Sequence, residues 1–283
     1  MKKTTSDVLA KKAKSEGYAV PALNSNGGTY DIVRAIIEVA SEMRSPLIIQ
    51  AYEPNLEYRG YKNFVDLVHQ LGEDADIPIS IQLDHGKSEK SILNAIKAGF
   101  TTVMIDYANL PFEENVEGTK RVISIAHDLN VAVEGEIGHI IISSKEDVAR
   151  TKGVDSVTAL AYAKAARPDL MAVALGTTHG IFDIQESIDF EVLKRVSENT
   201  DIPLVLHGTC GIPMELIERC AKSGISKINF GENIRIAYIN HMRDVLDGFP
   251  HNYHPWRAMH EVKDRLKKDI RKMVEACGSA GKV

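Results

Sequence analysis

The sequence predicts an α/β protein, a single (β/α)8 TIM barrel with an extra C-terminal helix, on three observations. The chain has 283 residues, a normal length for one such barrel. Eight short apolar runs alternate with longer amphipathic segments. The turn after the first run, Asn24-Ser25-Asn26-Gly27-Gly28, is not the G-x-G-x-x-G that the rival doubly wound sheet would want.

The elements follow in order. Residues 1–17 carry five lysines and no continuous apolar run, so they read as a helix rather than a signal peptide. The candidate strands are 18–23, 46–51, 77–83, 101–105, 131–136, 171–175, 203–206 and 227–230. Each is bounded by Gly, Pro, Asp or Asn, and most are continuously apolar, as expected of parallel strands buried on both faces. Between them, 31–44 places Ile32, Ala35, Ile36 and Val39 on one helical face, and 113–129 turns Val116, Val122, Ile123 and Ala126 inward. Segments 88–98, 156–167, 190–198 and 213–223 keep the same 3.6-residue period. The stretch 256–275 is a long amphipathic helix beyond the eighth unit. The polar stretch 143–153 is the one long irregular connection. No linker interrupts the pattern, so 1–283 reads as one domain.

Composition narrows the function. Hydrophobic residues make up 44% and charged residues 26%, with a net charge of −5 and a pI near 6.1. That balance argues against a nucleic-acid or membrane-surface binder, both of which want a basic face. No stretch approaches the roughly 18 apolar residues of a membrane span. Cys210, Cys220 and Cys277 are odd in number and lack CxxC spacing, so free thiols in a reducing cytoplasm are the simplest reading.

Active sites of such barrels sit where strands end and βα loops begin. The strand ends supply Asn24, Asp84-His85-Gly86, Asp106, Glu134 with Glu136, Thr177-Thr178-His179-Gly180, His207 through Gly211, and Asn229 through Glu232. Three of the ten histidines, His85, His179 and His207, fall at three different strand ends, each followed by glycine. Three neutral imidazoles would leave a tetrahedral Zn²⁺ with an open position for substrate. Such an ion polarises a carbonyl as a Lewis acid. A proton acceptor must stand beside it, and Asp84 precedes His85 directly. Neighbours at a strand end diverge, so one can hold metal while the other faces substrate. The bland alternative for Asp84 is a helix cap or a support for a histidine. Gly180, Gly208, Gly211 and Gly231 lie in the last three βα loops, where many barrels bind phosphate through backbone N–H groups; tight turns alone are the alternative.

These residues carry a resemblance. YAVPALN (18–24), SEMRSPLII (41–49), LDHG (83–86), GFTTVMID (99–106), LPFEEN (110–115), VEGEIG (133–138), ALGTTHG (174–180), IPLVLHG (202–208), SKIN (226–229) and GSAGK (278–282) occur in order. Together they resemble the class II, zinc-dependent ketose-bisphosphate aldolases, in the tagatose- and fructose-bisphosphate branch. The resemblance implies that His85, His179 and His207 bind zinc and that Asp84 moves a proton at the aldol carbon. It implies that Asp106 and Glu136 match positions holding a second or alternate metal in some members, with Glu134 nearby. Asn24 falls in the first motif and joins the expected substrate contacts. Gly180, Gly208, Thr209 and Cys210, with Asn229, Phe230, Gly231 and Glu232, match segments that bind dihydroxyacetone phosphate, and Asn229 would touch the enediolate. The implied reaction is reversible cleavage of a ketose (bis)phosphate to dihydroxyacetone phosphate and an aldehyde through a zinc-stabilised enediolate. Members are commonly homodimers or homotetramers, and some use a monovalent cation near the phosphate. No lysine stands at a strand end in these motifs, so no Schiff base is implied.

The departures cluster in the phosphate pocket. A serine is usual where Cys210 stands, and a thiol is a weak donor. A threonine or serine is usual where Glu232 stands, and a carboxylate facing a phosphate costs affinity. Either Glu232 turns away as a helix N-terminal residue, or a cation intervenes, or the group bound there is not phosphate. After Asp106 the usual Gly-Ser-His is Tyr107-Ala108-Asn109, and in 139–147 Glu146 stands in for a loop proton donor. These departures raise a second reading, the same retro-aldol chemistry on a non-standard or unphosphorylated substrate. A metal-dependent barrel hydrolase, which would bridge two metals with carboxylates, and an inactive regulatory protein are further alternatives; the retained Asp84 and histidines speak against the last.

Overall fold

The apolar runs become strands that close into a ring. In the computed structural model, which describes residues 1–138, 153–177, 188–249 and 254–283, nine strands are formed among the described residues. They are β1 (Lys2–Lys3), β2 (Val20–Asn24), β3 (Leu47–Tyr52), β4 (Pro78–Gly86), β5 (Thr102–Ile105), β6 (Ala132–Ile137), β7 (Leu170–Val173), β8 (Leu204–Leu206) and β9 (Ile225–Phe230). Strands β2 to β9 pair in parallel around the ring, with β9 on β2 and each strand beside its sequence neighbour. This is the expected (β/α)8 barrel. The two-residue β1 adds to the start of β4, Lys2 opposite Pro78.

Alternation along each strand sorts the side chains. Leu23, Ile49, Val103, Val133, Leu206 and Ile228 face outward into one core shared with the helices. Val20, Ala22, Ile48, Ala172 and Val205 face inward. They pack on Leu9, Ala10 and Ala13 of the helix Ser6–Glu16, which closes the barrel floor. Of the 1–17 stretch read as helix, the first residues are thus spent on β1. Ser6 reaches into the barrel, where its hydroxyl donates to the Gln82 side-chain carbonyl at 2.8 Å.

The helices at 30–42, 89–98, 112–127, 156–166, 190–199 and 214–222 lie within three residues of the expected ones. Three others had no expected range: Glu53–Arg59 and Tyr61–Leu71 between β3 and β4, and Glu232–Gly248 after β9. The C-terminal helix Pro255–Ala276 is present. It packs on Glu232–Gly248 and on Tyr30–Glu42, and buried Lys263 reaches Glu38 at 2.8 Å. Of the polar stretch 143–153, all but Gly153 lies outside the described residues. No described helix is long and apolar enough to cross a membrane.

Candidate active site

The site begins with an irregularity in β4. Leu83 pairs with Val103, yet the next pair with β5 is Gly86 with Ile105. Three residue steps on β4 therefore face two on β5, which is a β-bulge, a device that re-aims side chains. His85 adopts φ +48°, a region that a residue with a Cβ rarely occupies. Gly86 lets the strand pass closely, since a Cβ there would stand 2.8 Å from the Met104 carbonyl oxygen. As a result Asp84 and His85 do not diverge as expected of strand neighbours. The bulge turns both into the barrel mouth, with Asp84 Oδ1 3.9 Å from His85 Nε2.

His207, at the end of β8, meets them there. Its Nδ1 stands 3.1 Å from His85 Nε2. Each ring gives its other nitrogen to a carboxylate: His85 Nδ1 to Asp106 Oδ2 at 3.0 Å, and His207 Nε2 to Glu134 Oε1 at 2.8 Å. An ionised carboxylate only accepts, so those ring nitrogens carry hydrogens and the two nitrogens facing each other are lone pairs in the neutral rings. Lone pairs at this distance repel unless a cation lies between them. Two nitrogens on one tetrahedral zinc stand about 3.4 Å apart, so the donor set fits such an ion. Without a metal, a proton serves. Burial opposes charge on His85, but Asp84, Asp106 and Glu136 outweigh it and raise its pKa to about 9. Burial holds His207 below the usual histidine range.

Asp84, His85 and His207 form one group able to hold a metal, and His85, Asp106 and Glu136 form a second. Glu136 Oε2 is buried without a hydrogen-bond partner among the described residues. Burial, with the charges of Asp106 and Glu134, raises the Glu136 pKa to about 8. His179 and Gly180 lie outside the described residues, as does Glu146.

Two amides hold the Asp84 carboxylate. Asn24 Nδ2 donates to Oδ2 at 3.1 Å, and Asn229 Nδ2 to Oδ1 at 3.3 Å. Above them opens a cavity of about 510 Å³, lined by Asn24, Asp84, His85, Gly208, Thr209, Asn229, Gly231 and Glu232 among others. Glu232 has not turned away. It begins the helix Glu232–Gly248 and lines the cavity beside Arg235, whose Nη2 is 3.9 Å from Glu232 Oε1. Arg235 thus puts a cationic side chain next to the Glu232 carboxylate at the cavity wall. The Thr209 hydroxyl donates to the Asn229 carbonyl at 2.6 Å, so it braces the rim. Cys210 is half-buried, and burial with the Glu232 charge raises its thiol pKa. The Phe230 side chain faces outward into the core, so any contact it makes with the cavity comes from its backbone.

Several residues at the site carried no expectation. Lys87 lines the cavity and pairs with Asp106. Gln50 lines the cavity too, and neither of its amide atoms has a partner among the described residues. Below the histidines, Lys227 and Glu134 form an ion pair of 2.7 Å with both side chains fully buried. Burial works to raise the Glu134 pKa, and Lys227 with His207 overrides it, holding that carboxyl well below the usual range. The available signal was a polar residue at an inward position of an apolar run, as in LIIQAY and ISIQLD.

The comparisons with known proteins agree with this geometry. Residues 4–282 match the family model described as class-II fructose-bisphosphate aldolase. The chain belongs to that family. It is an aldolase, a carbon–carbon lyase of a family that is generally metal-dependent and acts on small sugar phosphates. A fructose-bisphosphate aldolase from Thermus caldophilus is 32% identical over 304 residues, covering 97% of each chain. The crystal structure of the YdjI aldolase from Escherichia coli K12 superposes with a TM-score of 0.87 at 27% identity, covering 99% of both chains. A fructose-bisphosphate aldolase from Campylobacter jejuni shares the fold, with a TM-score of 0.84 at 20% identity over 100% of this chain and 97% of that one.

Proposed function

We propose that this class II aldolase cleaves a ketose phosphate to dihydroxyacetone phosphate and an aldehyde with a divalent ion, zinc, held by His85, His179 and His207. The observation that carries the reading is the pair of imidazole nitrogens facing each other at 3.1 Å with carboxylates behind both rings. When bound, the ion supplies Lewis-acid stabilisation of negative charge on substrate oxygen. Asp84, gripped by Asn24 and Asn229, takes the hydroxyl proton of the carbon that leaves as the aldehyde. Asp106 and Glu136 offer a second cation position. Backbone at Gly208, Cys210, Gly231 and Glu232 would border the phosphate, with Arg235 offsetting the Glu232 charge; Gly180 is assigned to the same group by the family motif alone. One catalytic domain spans 1–283, acting as a cytoplasmic homodimer or homotetramer.

The experiment is a cleavage assay on fructose 1,6-bisphosphate, tagatose 1,6-bisphosphate and the corresponding unphosphorylated ketoses, with and without a chelator. Turnover of a phosphorylated ketose that is lost on chelation and restored by zinc is the expected result. Activity untouched by chelation would remove the metal from the mechanism. Turnover confined to the unphosphorylated sugars would favour the second reading, for which Glu232 at the cavity wall is the specific observation.

Gln50 gives a separate prediction. An unpaired buried amide costs roughly 1–3 kcal/mol of stability, and a hydroxylated sugar would satisfy both of its polar atoms. Gln50→Met, similar in volume, is therefore expected to raise Tm by a few degrees while lowering kcat/KM about tenfold or more. A variant with unchanged kcat/KM would separate Gln50 from the substrate.

A further inference from the structure

The barrel interior carries a charged pair that the reaction itself does not use. Lys227 of β9 and Glu134 of β6 are both fully buried, with Lys227 Nζ 2.7 Å from Glu134 Oε2. The same oxygen accepts from Gln82 Nε2 at 2.8 Å, and the Gln82 carbonyl in turn accepts from Ser6 at the barrel floor. The other oxygen, Oε1, receives His207 Nε2 at 2.8 Å. An unbroken line of hydrogen bonds thus runs from the floor helix up to His207. Buried ion pairs are weak evidence of stability, because well-packed apolar residues of similar volume often do as well or better. Position is what this pair supplies.

We propose that Lys227 and Glu134 are positioning residues that fix His207 with its hydrogen on Nε2 and its Nδ1 lone pair turned toward His85. The inference rests on the reading that His85 and His207 hold the metal. Glu134 Oε1 can only accept, so the ring nitrogen facing it must donate. A neutral imidazole has one donor, which leaves Nδ1 an acceptor, 3.1 Å from His85 Nε2 and 3.3 Å from the Asn229 amide nitrogen. Lys227 and Gln82 hold the second carboxylate oxygen, so Glu134 cannot rotate away from the histidine. Supports of this kind change metal affinity or activity by about 10–100-fold when removed.

The test uses the full-length protein and zinc itself. Lys227→Met with Glu134→Gln removes both charges together and keeps shape and charge balance. Its Tm reports whether the barrel still folds, and competition with a chromophoric chelator gives the zinc Kd. The expected result is a near-native Tm with zinc bound about 10–100-fold more weakly, and a fall in kcat greater than any change in KM. Glu134→Gln alone leaves the Lys227 and Gln82 donors to draw its amide oxygen and turns its NH2 toward His207, so zinc is expected to bind it at least as weakly. Should the double variant not fold, the single variant still decides, since wild-type zinc affinity in it overturns the proposal. The ¹⁵N spectrum of histidine-labelled, metal-free wild type at a pH where His207 is neutral is expected to place the His207 hydrogen on Nε2. A hydrogen on Nδ1, or wild-type zinc affinity in the folded double variant, overturns the positioning role while leaving the metal assignment intact. Failure of the wild type to bind zinc would instead overturn the underlying reading and the inference with it.

Discussion

Asp84→Asn is expected to lower kcat for aldol cleavage by about 10²–10⁴-fold, the range for loss of a positioned proton acceptor. The geometry makes the substitution severe. Two amide donors, Asn24 and Asn229, converge on the two oxygens of Asp84 at 3.1 and 3.3 Å. An asparagine at this position would turn its own amide hydrogens against one of them, so it loses the base and disturbs the grip at once. The fold should survive, because the bulge that places residue 84 is made by backbone register and Gly86 rather than by the carboxylate. A coupled assay of aldehyde release, run beside a zinc determination on the same sample, checks the result. Activity within threefold of wild type would show that Asp84 is not the proton acceptor. Joint loss of zinc and activity would make it a ligand instead, since it belongs to the same donor group as His85 and His207.

The barrel was legible because parallel strands buried on both faces write themselves as apolar runs, and each of β2 to β9 overlaps its expected range. Tyr61–Leu71 does carry the helical period, with Phe64, Val65, Leu67 and Val68 buried, and was passed over; Glu53–Arg59 and Glu232–Gly248 were given no range for a different reason. The first is short and the last is polar, with only Ile234, Tyr238 and Val245 buried, so a hydrophobic period barely marks it. The site was legible in its residue types and partly illegible in its geometry. His85 and His207 were readable as strand-end histidines, yet the bulge at Leu83–Gly86 was not, because register emerges only when β4 is paired with β5. The assumption that neighbours diverge failed for that reason. Glu134 was read as a strand-end carboxylate, but its pairing with Lys227 was not, because only the closed ring puts these two inward positions from β6 and β9 face to face. Glu232 was offered as a helix N-terminal residue, but no range was given to that helix, so its i,i+3 neighbour Arg235 went unweighed.

His85 carries the second large prediction because it belongs to both donor groups. His85→Ala is expected to reduce zinc to well below one ion per chain and to lower cleavage at least 10³-fold, several kcal/mol of electrophilic stabilisation being lost. Its pH behaviour makes the assignment specific. Burial disfavours the charged ring, but Asp84, Asp106 and Glu136 raise its pKa from 6.5 to about 9. The folded value lies above the unfolded one, so the His85 proton stabilises the metal-free fold fully below pH 6.5, and that contribution is lost as pH rises through about 9. Zinc must displace this proton, so binding competes with it. Apparent zinc affinity of the wild type should therefore strengthen by up to about tenfold per pH unit between pH 6.5 and 9 and then level off, with proton release on binding. Calorimetric titration in two buffers of different ionisation enthalpy counts that proton. A zinc affinity that is flat across this window would mean that the ion does not sit on His85, and the carboxylates around the ring would then be holding a permanent imidazolium rather than a metal ligand.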